Sequence, residues 1–229
     1  MPLLPETDSE LFALMRRELC TAVVGDVLDA AGLTRQFLPP EVRPLQSGMI
    51  VLGRAMPVLE ADCCGEEVCA QPAKLPFGIM FRALDDLKEG EIYVCTGSSF
   101  EYALWGELMS VRAMRCGAAG AILDGFSRDT RGILKLGFPV FSRGAYAQDQ
   151  RVRGRVIDFR CPLAFPGGVR VNPGDVLFGD IDGVVVIPSG CLADVTAAAL
   201  EKVRGENRVA AAIRNGMSTQ AAWDQFGIM

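Results

Sequence analysis

The sequence predicts an α/β fold: a central β-sheet core, helices packed around it and a helical C-terminus. Three observations predict it. Between residues 92 and 141, short apolar runs rich in β-branched side chains alternate with helix-like stretches in a β-α-β-α-β order. From 155 to 187, strand-like segments are joined by turns such as Pro173-Gly174-Asp175. Beyond residue 190 the pattern becomes helical. The 229 residues hold no internal repeat, low-complexity tract or long linker, so a single domain over 1–229 is expected.

SELFALMRREL (9–19) reads as a helix opened by Ser9, and AVVGDVLDAA (22–31) as a second, with Thr21 as N-cap and Gly32 past its end. MIVLGRAMPVLEA (49–61) has the alternation of a strand. Residues 62–90 resist assignment because Pro72 and Pro76 break them; within them, 62–77, with Cys63, Cys64 and Cys69, reads either as a lid or as a surface loop. After the turn at 88–91, Ile92-Tyr93-Val94-Cys95 reads as a buried strand. GELMSVRAMRCG (106–117) reads as a mostly buried helix, since Leu108, Met109, Val111, Ala113, Met114 and Cys116 leave only a narrow polar face. A strand at 119–123, a helix at 129–136 ended by Gly137 and a strand at 138–141 follow. The second half reads as strands at 155–160, 169–171, 176–178 and 183–187, then helices at 190–204, 206–214 and 218–226.

Half the residues are hydrophobic and 22% are charged, ordinary for a soluble globular protein. The opening MPLLPETDSE has neither the basic nor the apolar region of a signal peptide, and no apolar run is long enough to span a bilayer, so a cytoplasmic location and no membrane partner are expected. A net charge of −5 argues against binding nucleic acid through its phosphates. Arg143, Arg151, Arg153 and Arg155 cluster, and a solvated loop accounts for them. None of the eight cysteines forms a C-x-x-C pair, so buried or incidental thiols are favoured over zinc sites or disulfides. Histidine is absent altogether. That excludes histidine triads and imidazole-bound zinc, and leaves acid–base work to carboxylates, Lys, Tyr, Cys or water on a metal held by oxygen, which means Mg²⁺ or Mn²⁺.

Ligands in open α/β sheets sit beyond the carboxyl ends of strands, often against a helix N-terminus. Two such corners lie close in sequence: one after strand 92–95, entering a helix at Gly106-Glu107-Leu108-Met109, and one after strand 119–123, carrying Arg128-Asp129. If the two strands are neighbours, both loops face one pocket. Each residue also has a plainer reading. Asp129 caps helix 130–136 while Arg128 lies in solvent, Glu107 is a first-turn carboxylate favoured by the helix dipole, and the amides of Leu108 and Met109 bind water.

The segments GELM (106–109), GAAGAILDGFSRDT (117–130) and LGFPVFSRG (136–144), with GGVRVNPGDVLFGDIDGVVVIP (167–188) and VGDVLDAAG (24–32), resemble the RraA-like family over most of the chain. This family includes class II pyruvate aldolases acting on 4-hydroxy-4-methyl-2-oxoglutarate and 4-carboxy-4-hydroxy-2-oxoadipate, and regulators that inhibit RNase E. The resemblance implies a β/β/α swivelling-type fold. In the aldolases an acidic residue, usually Asp, precedes an Arg-Asp pair with the spacing that separates Glu107 from Arg128; the regulators typically carry Gly there.

By the same resemblance, Asp129 would hold Mg²⁺ or Mn²⁺, with waters filling most other positions. The amides near Leu108 and Met109, starting from Gly106, would hold the carboxylate of a pyruvate-like 2-oxo acid. Arg128 would sit against the ketone oxygen, where charge builds in retro-aldol cleavage and in oxaloacetate decarboxylation. Glu107 would orient a metal-bound water for proton transfer. Glu206, on a C-terminal helix of a neighbouring subunit, is a candidate assisting acid, although a solvated helix carboxylate explains it equally. Arg131 could meet a distal carboxylate or lie on a helix surface. Homotrimers or homohexamers are implied. The rival function is a non-catalytic regulator of the RNase E type; methyl transfer is discounted because no glycine-rich cofactor loop with an acidic partner is present.

Overall fold

The computed structural model describes residues 4–63 and 77–227. Its axis is one long strand, β2 (Val51–Asp62), buried along most of both faces. Such burial follows from its neighbours, because parallel pairing with crossover helices covers a sheet on both sides. β2 pairs in parallel with β3 (Glu91–Thr96), β3 with β5 (Gly120–Leu123), and β5 with β7 (Val140–Ser142). On its other edge β2 meets the hairpin of β11 (Val176–Asp180) and β12 (Gly183–Ile187), then, from Val58 on, the antiparallel β8 (Gly154–Phe159), with a register shift within that pairing at Leu59/Glu60.

The sheet nearly closes on itself. Phe37 bridges to Val185 on β12, while β1 (Arg43–Pro44) pairs with β7 at the opposite edge, so residues 37–44 run from one edge to the other. Alternation along β3 divides the core. Ile92 and Val94 join Val51, Ile122, Phe141 and Val184 in one cluster, whereas Tyr93 and Cys95 join Met56, Trp105, Leu123 and Phe138 in another. A third cluster lies under α1 (Asp8–Glu18), α2 (Thr21–Ala30) and α6 (Leu192–Arg214). The helices α3 (Met80–Asp85), α4 (Glu107–Arg115), α5 (Thr130–Leu136) and α7 (Thr219–Phe226) complete the cover. The α/β class with packed helices and a helical C-terminus is thus as expected, and among the described residues no helix is long and apolar enough to cross a membrane.

Several local expectations are corrected. Thr7, not Ser9, caps α1 by accepting the Glu10 N–H at 3.3 Å. Thr21 lies inside α2, and its N–H and hydroxyl both donate to Asp180, each at 2.8 Å. The expected break near residue 205 is absent, and α6 runs straight through a buried Gly205. The helix 107–115 is not mostly buried: Ser110 and Ala113 face inward, while Leu108 is 83% exposed and Val111 and Met114 are also exposed. Cys64 and Cys69, and most of the candidate lid at 62–77, lie outside the described residues.

One buried carboxyl gives the fold a pH dependence. Glu60 on β2 is 2% exposed and accepts a hydrogen bond from Gln150 Nε2 at 2.6 Å. Burial pushes its pKa up from 4.5 to about 8, outweighing the opposing pull of the Gln150 hydrogen bond. The folded state therefore keeps a proton that the unfolded chain releases, so stability is lost as pH rises from about 4.5 to about 8. Glu60→Gln is neutral throughout and removes this dependence. Denaturant unfolding across that window should show the wild type losing stability relative to the variant, by at most about 1.4 kcal/mol per pH unit.

Candidate functional site

Two loop corners are pinned side by side by a very short parallel pairing. In β4 (Ala103–Trp105) and β6 (Phe126–Ser127), Ala103 lies opposite Phe126 and Trp105 opposite Ser127. The Arg128 N–H extends the ladder by donating to the Trp105 carbonyl at 2.8 Å. Gly106 then leads into α4 and Asp129 into α5.

The other flank of the second corner is equally fixed. Ser127 donates its N–H to the Gly144 carbonyl at 3.0 Å, and Tyr146 returns one to Ser127 at 2.9 Å. Asp124, buried at the end of β5, accepts from Thr96 Oγ1 at 2.8 Å and from Arg143 Nε at 2.7 Å. Arg143 also pairs with Glu41 at 3.3 Å and lies 4.5 Å from the Phe100 ring centroid. Its side chain is only 14% exposed, so it is a strut between elements and not part of a solvated basic loop.

Asp129 has a left-handed backbone, φ 57°, which a non-glycine residue adopts at some cost. It occupies the N-cap position of α5 yet makes no capping bond there. Its Oδ2 instead accepts the N–H of Glu107, the first residue of α4, at 3.3 Å. The reading in which Asp129 serves its own helix is therefore set aside. Gly106 makes room for this carboxylate: a Cβ there would lie 2.7 Å from Asp129 Oδ2. Arg128 has Nε 3.8 Å from the same oxygen, and its Nη1 is held by Asp149 Oδ1 at 3.1 Å. The amides of Leu108 and Met109 lie in the first turn of α4, where no intrahelical acceptor exists; Ser110 is the first to bond back, to Gly106 at 3.1 Å.

Glu107 points the other way. Its carboxylate lies across α5, where a Cβ on Gly132 would come 2.2 Å from Oε2. It shares an open cavity with Thr130, Arg131 and Lys135. Arg128, Leu108 and Met109 line a more enclosed cavity of about 470 Å³. Asp129 lines both cavities and stands between Glu107 and Arg128. Gly106, Glu107, Leu108, Met109, Arg128 and Asp129 are thus gathered at one corner. Glu206 is not brought there within one chain; it pairs with Lys202 Nζ at 3.2 Å, which also binds Asp26.

Sequence reasoning missed Asp149, which sits in an irregular segment between β7 and β8 where no periodicity marks it. It likewise missed the apolar wall supplied by Phe77, Met80 and Phe81. Among the described residues no group of three Cys, Asp or Glu forms a metal cage. The donor the corner offers is the half-exposed carboxylate of Asp129, with the Asp149 carboxylate on Arg128 and the Glu107 carboxylate turned across α5, so oxygen is the ligand type at hand. Such a set fits a hard dication that keeps most of its water, and does not fit a soft metal.

Comparison with known proteins gives these residues a context. The RraA-like family, described as Aldolase/RraA, matches residues 21–186. A protein of Halalkalibacterium halodurans named "Putative 4-hydroxy-4-methyl-2-oxoglutarate aldolase" is 31% identical over 180 residues, 78% of this chain and 77% of the relative. Protein DlpA of Legionella pneumophila is 28% identical over 90% of this chain, which spans only 32% of that protein's length. The crystal structure of Streptomyces coelicolor RraAS2, described as an unusual member of the RNase ES inhibitor RraA protein family, superposes with a TM-score of 0.74 at 22% identity, covering 90% of this chain and 98% of that one, and supports the fold alone. With the family match spanning well over half of its residues, this chain belongs to the RraA-like family.

Proposed function

We propose that this protein is a class II, divalent-metal-dependent carbon–carbon lyase that cleaves a 4-hydroxy-2-oxo acid and releases pyruvate, with oxaloacetate decarboxylation as a second reaction of the same site. The observation that carries the reading is the redirected carboxylate of Asp129, held in a left-handed backbone beside Arg128 and the open amides of α4. The aldolase name of the Halalkalibacterium relative supports it.

In this reading Asp129 holds Mg²⁺ or Mn²⁺, which when bound would supply Lewis acidity toward the ketone and carboxylate oxygens of the substrate. The Leu108 and Met109 amides, at the positive end of α4, receive the C1 carboxylate. Arg128 donates to the C2 oxygen, where charge grows as the C3–C4 bond breaks. A guanidinium does not give up its proton at neutral pH, so Arg128 stabilises that oxyanion and is not the base. Asp149 fixes the guanidinium through Nη1. Glu107 takes the C4 hydroxyl proton at its carboxylate, with water carrying it past Asp129.

Assembly into a homotrimer or homohexamer belongs to the same proposal, and Glu206 enters only from a neighbouring subunit; full turnover by Glu206→Gln would remove it. The family match, described as Aldolase/RraA, keeps one rival, a non-catalytic regulator of the RNase E type. Capture of a ribonuclease E scaffold segment, with no pyruvate released from any 4-hydroxy-2-oxo acid or from oxaloacetate, would establish that rival.

Arg128→Ala and Asp129→Asn are each expected to lower kcat/KM for pyruvate release by about 10² to 10³ with the fold retained by circular dichroism. EDTA should abolish turnover and added Mg²⁺ or Mn²⁺ restore it; turnover indifferent to EDTA would count against the proposal. A finer test uses Gly132→Ala. Alanine favours a helix interior by up to about 1 kcal/mol, so thermal stability should hold or rise. The new methyl must displace the Glu107 carboxylate, so turnover should fall at least about tenfold.

A further inference from the structure

The half-open cavity lined by Arg128, Leu108 and Met109 has two unlike sets of lining residues. One end is polar, formed by Arg128, Asp129, Asp149 and the start of α4. The other runs between α3 and α4 and is walled by Phe77, Met80, Phe81, Leu84, Leu108 and Met109, with the Phe77 and Phe81 rings edge to face at 5.5 Å. The polar side chains bordering this second end are already engaged. Arg112 Nε pairs with Asp85 at 2.7 Å, and the Gln150 amide donates to Glu60 at 2.6 Å. Among the described residues, each arginine lining the cavity has a carboxylate partner, Arg112 with Asp85 and Arg128 with Asp149, and Asp129 shares Arg128 only at the longer distance of 3.8 Å, so the lining carries one carboxylate more than it has arginines.

Adding a dication would balance the single negative charge of the substrate head. Among the described lining residues, a second carboxylate on the substrate would then meet Asp85 and aromatic rings with no unpaired cation to receive it, and an unpaired charge against apolar walls is disfavoured. A hydrocarbon group would instead lose water-exposed area on both surfaces. The volume of about 470 Å³ is also far more than a pyruvate head fills.

Resting on the aldolase reading, we infer that the substrate carries an uncharged apolar tail at C4, and that the enzyme releases an apolar aldehyde together with pyruvate. The step balances without an oxidant or reductant. The C3–C4 bond breaks, the C4 hydroxyl loses its proton as that carbon becomes the aldehyde, and C3 of the pyruvate enolate takes one proton.

The test measures pyruvate release by the Mg²⁺-loaded full chain from 4-hydroxy-2-oxo acids bearing methyl, propyl, pentyl or phenyl at C4, beside 4-hydroxy-4-methyl-2-oxoglutarate. For the alkyl series kcat/KM should rise about fourfold per added methylene until the apolar end is filled. The best apolar substrate should exceed the dicarboxylate by at least about tenfold. Phe81→Arg, at a side chain already 56% exposed, should reverse that order with the assembly mass unchanged by light scattering. A preference for the dicarboxylate, or no dependence on tail length, overturns the inference and leaves the aldolase reading standing. A Phe81→Arg variant that changes the assembly mass but not the tail preference also overturns it, since the wall would then serve a second copy of the chain. Pyruvate from none of these substrates removes the aldolase reading, and this inference with it.

Discussion

The site depends on the parallel pairing of Ala103–Trp105 with Phe126–Ser127. So short a ladder has little intrinsic stability, and it is Trp105 that makes it rigid. The indole is 1% exposed, packs 4.9 Å from Tyr93 and stacks 6.2 Å from Phe138, and its Nε1 donates to Ser110 Oγ at 2.7 Å. Ser110 Oγ in turn donates to the Gly106 carbonyl at 3.2 Å. One aromatic side chain thus ties the strand before α4, the first turn of α4 and the core beneath both into a unit. Burying a tryptophan with its N–H satisfied contributes several times what a two-residue strand pair does alone. Arg128 and Asp129 inherit that rigidity through the Arg128–Trp105 backbone bond.

The parts of the fold that can be read from sequence are those with enough residues to show a period. β3, β5 and β12 appear within two residues of their expected ends, as does α4, because apolar runs and flanking glycines mark them. The hidden elements are β1, β4 and β6, each two or three residues long, whose pairing is decided by tertiary neighbours. The exposure of α4 was hidden for a related reason. Leu108, Val111 and Met114 look like core residues by composition, and only the arrangement of the elements around them leaves them facing solvent.

The site was legible in its residue types and only partly in its arrangement. The corner residues Gly106 to Met109 and Arg128-Asp129 stand out because strand ends precede helix starts there. That Glu107 turns across Gly132 and away from Arg128 has no sequence signal, since the clearance exists only once α4 and α5 lie together. Asp149 is hidden because its link to Arg128 spans twenty-one positions of chain ending in an irregular loop. Arg143 misled in the opposite sense: four arginines close in sequence look like one solvated cluster, but the side chain of Arg143 is drawn inward by Asp124 while Arg151 and Arg155 stay exposed.

The backbone of Asp129 ties these threads together. An aspartate at an N-cap ordinarily takes an extended conformation, from which its oxygen reaches the second or third amide of its own helix. In the left-handed region the side chain leaves in a different direction, so the residue gives up a cap worth about 1 kcal/mol and accepts backbone strain as well. A sequence chosen for stability alone would place glycine or asparagine at such a dihedral, or keep aspartate and restore the cap. Here the freed carboxylate lies against the start of α4, with Gly106 bare to admit it and Arg128 held alongside by Asp149. The left-handed backbone, the lost cap and the bare glycine oppose stability singly and make sense jointly if a cation and an anionic ligand meet at this corner, which is the condition on which the proposed chemistry rests.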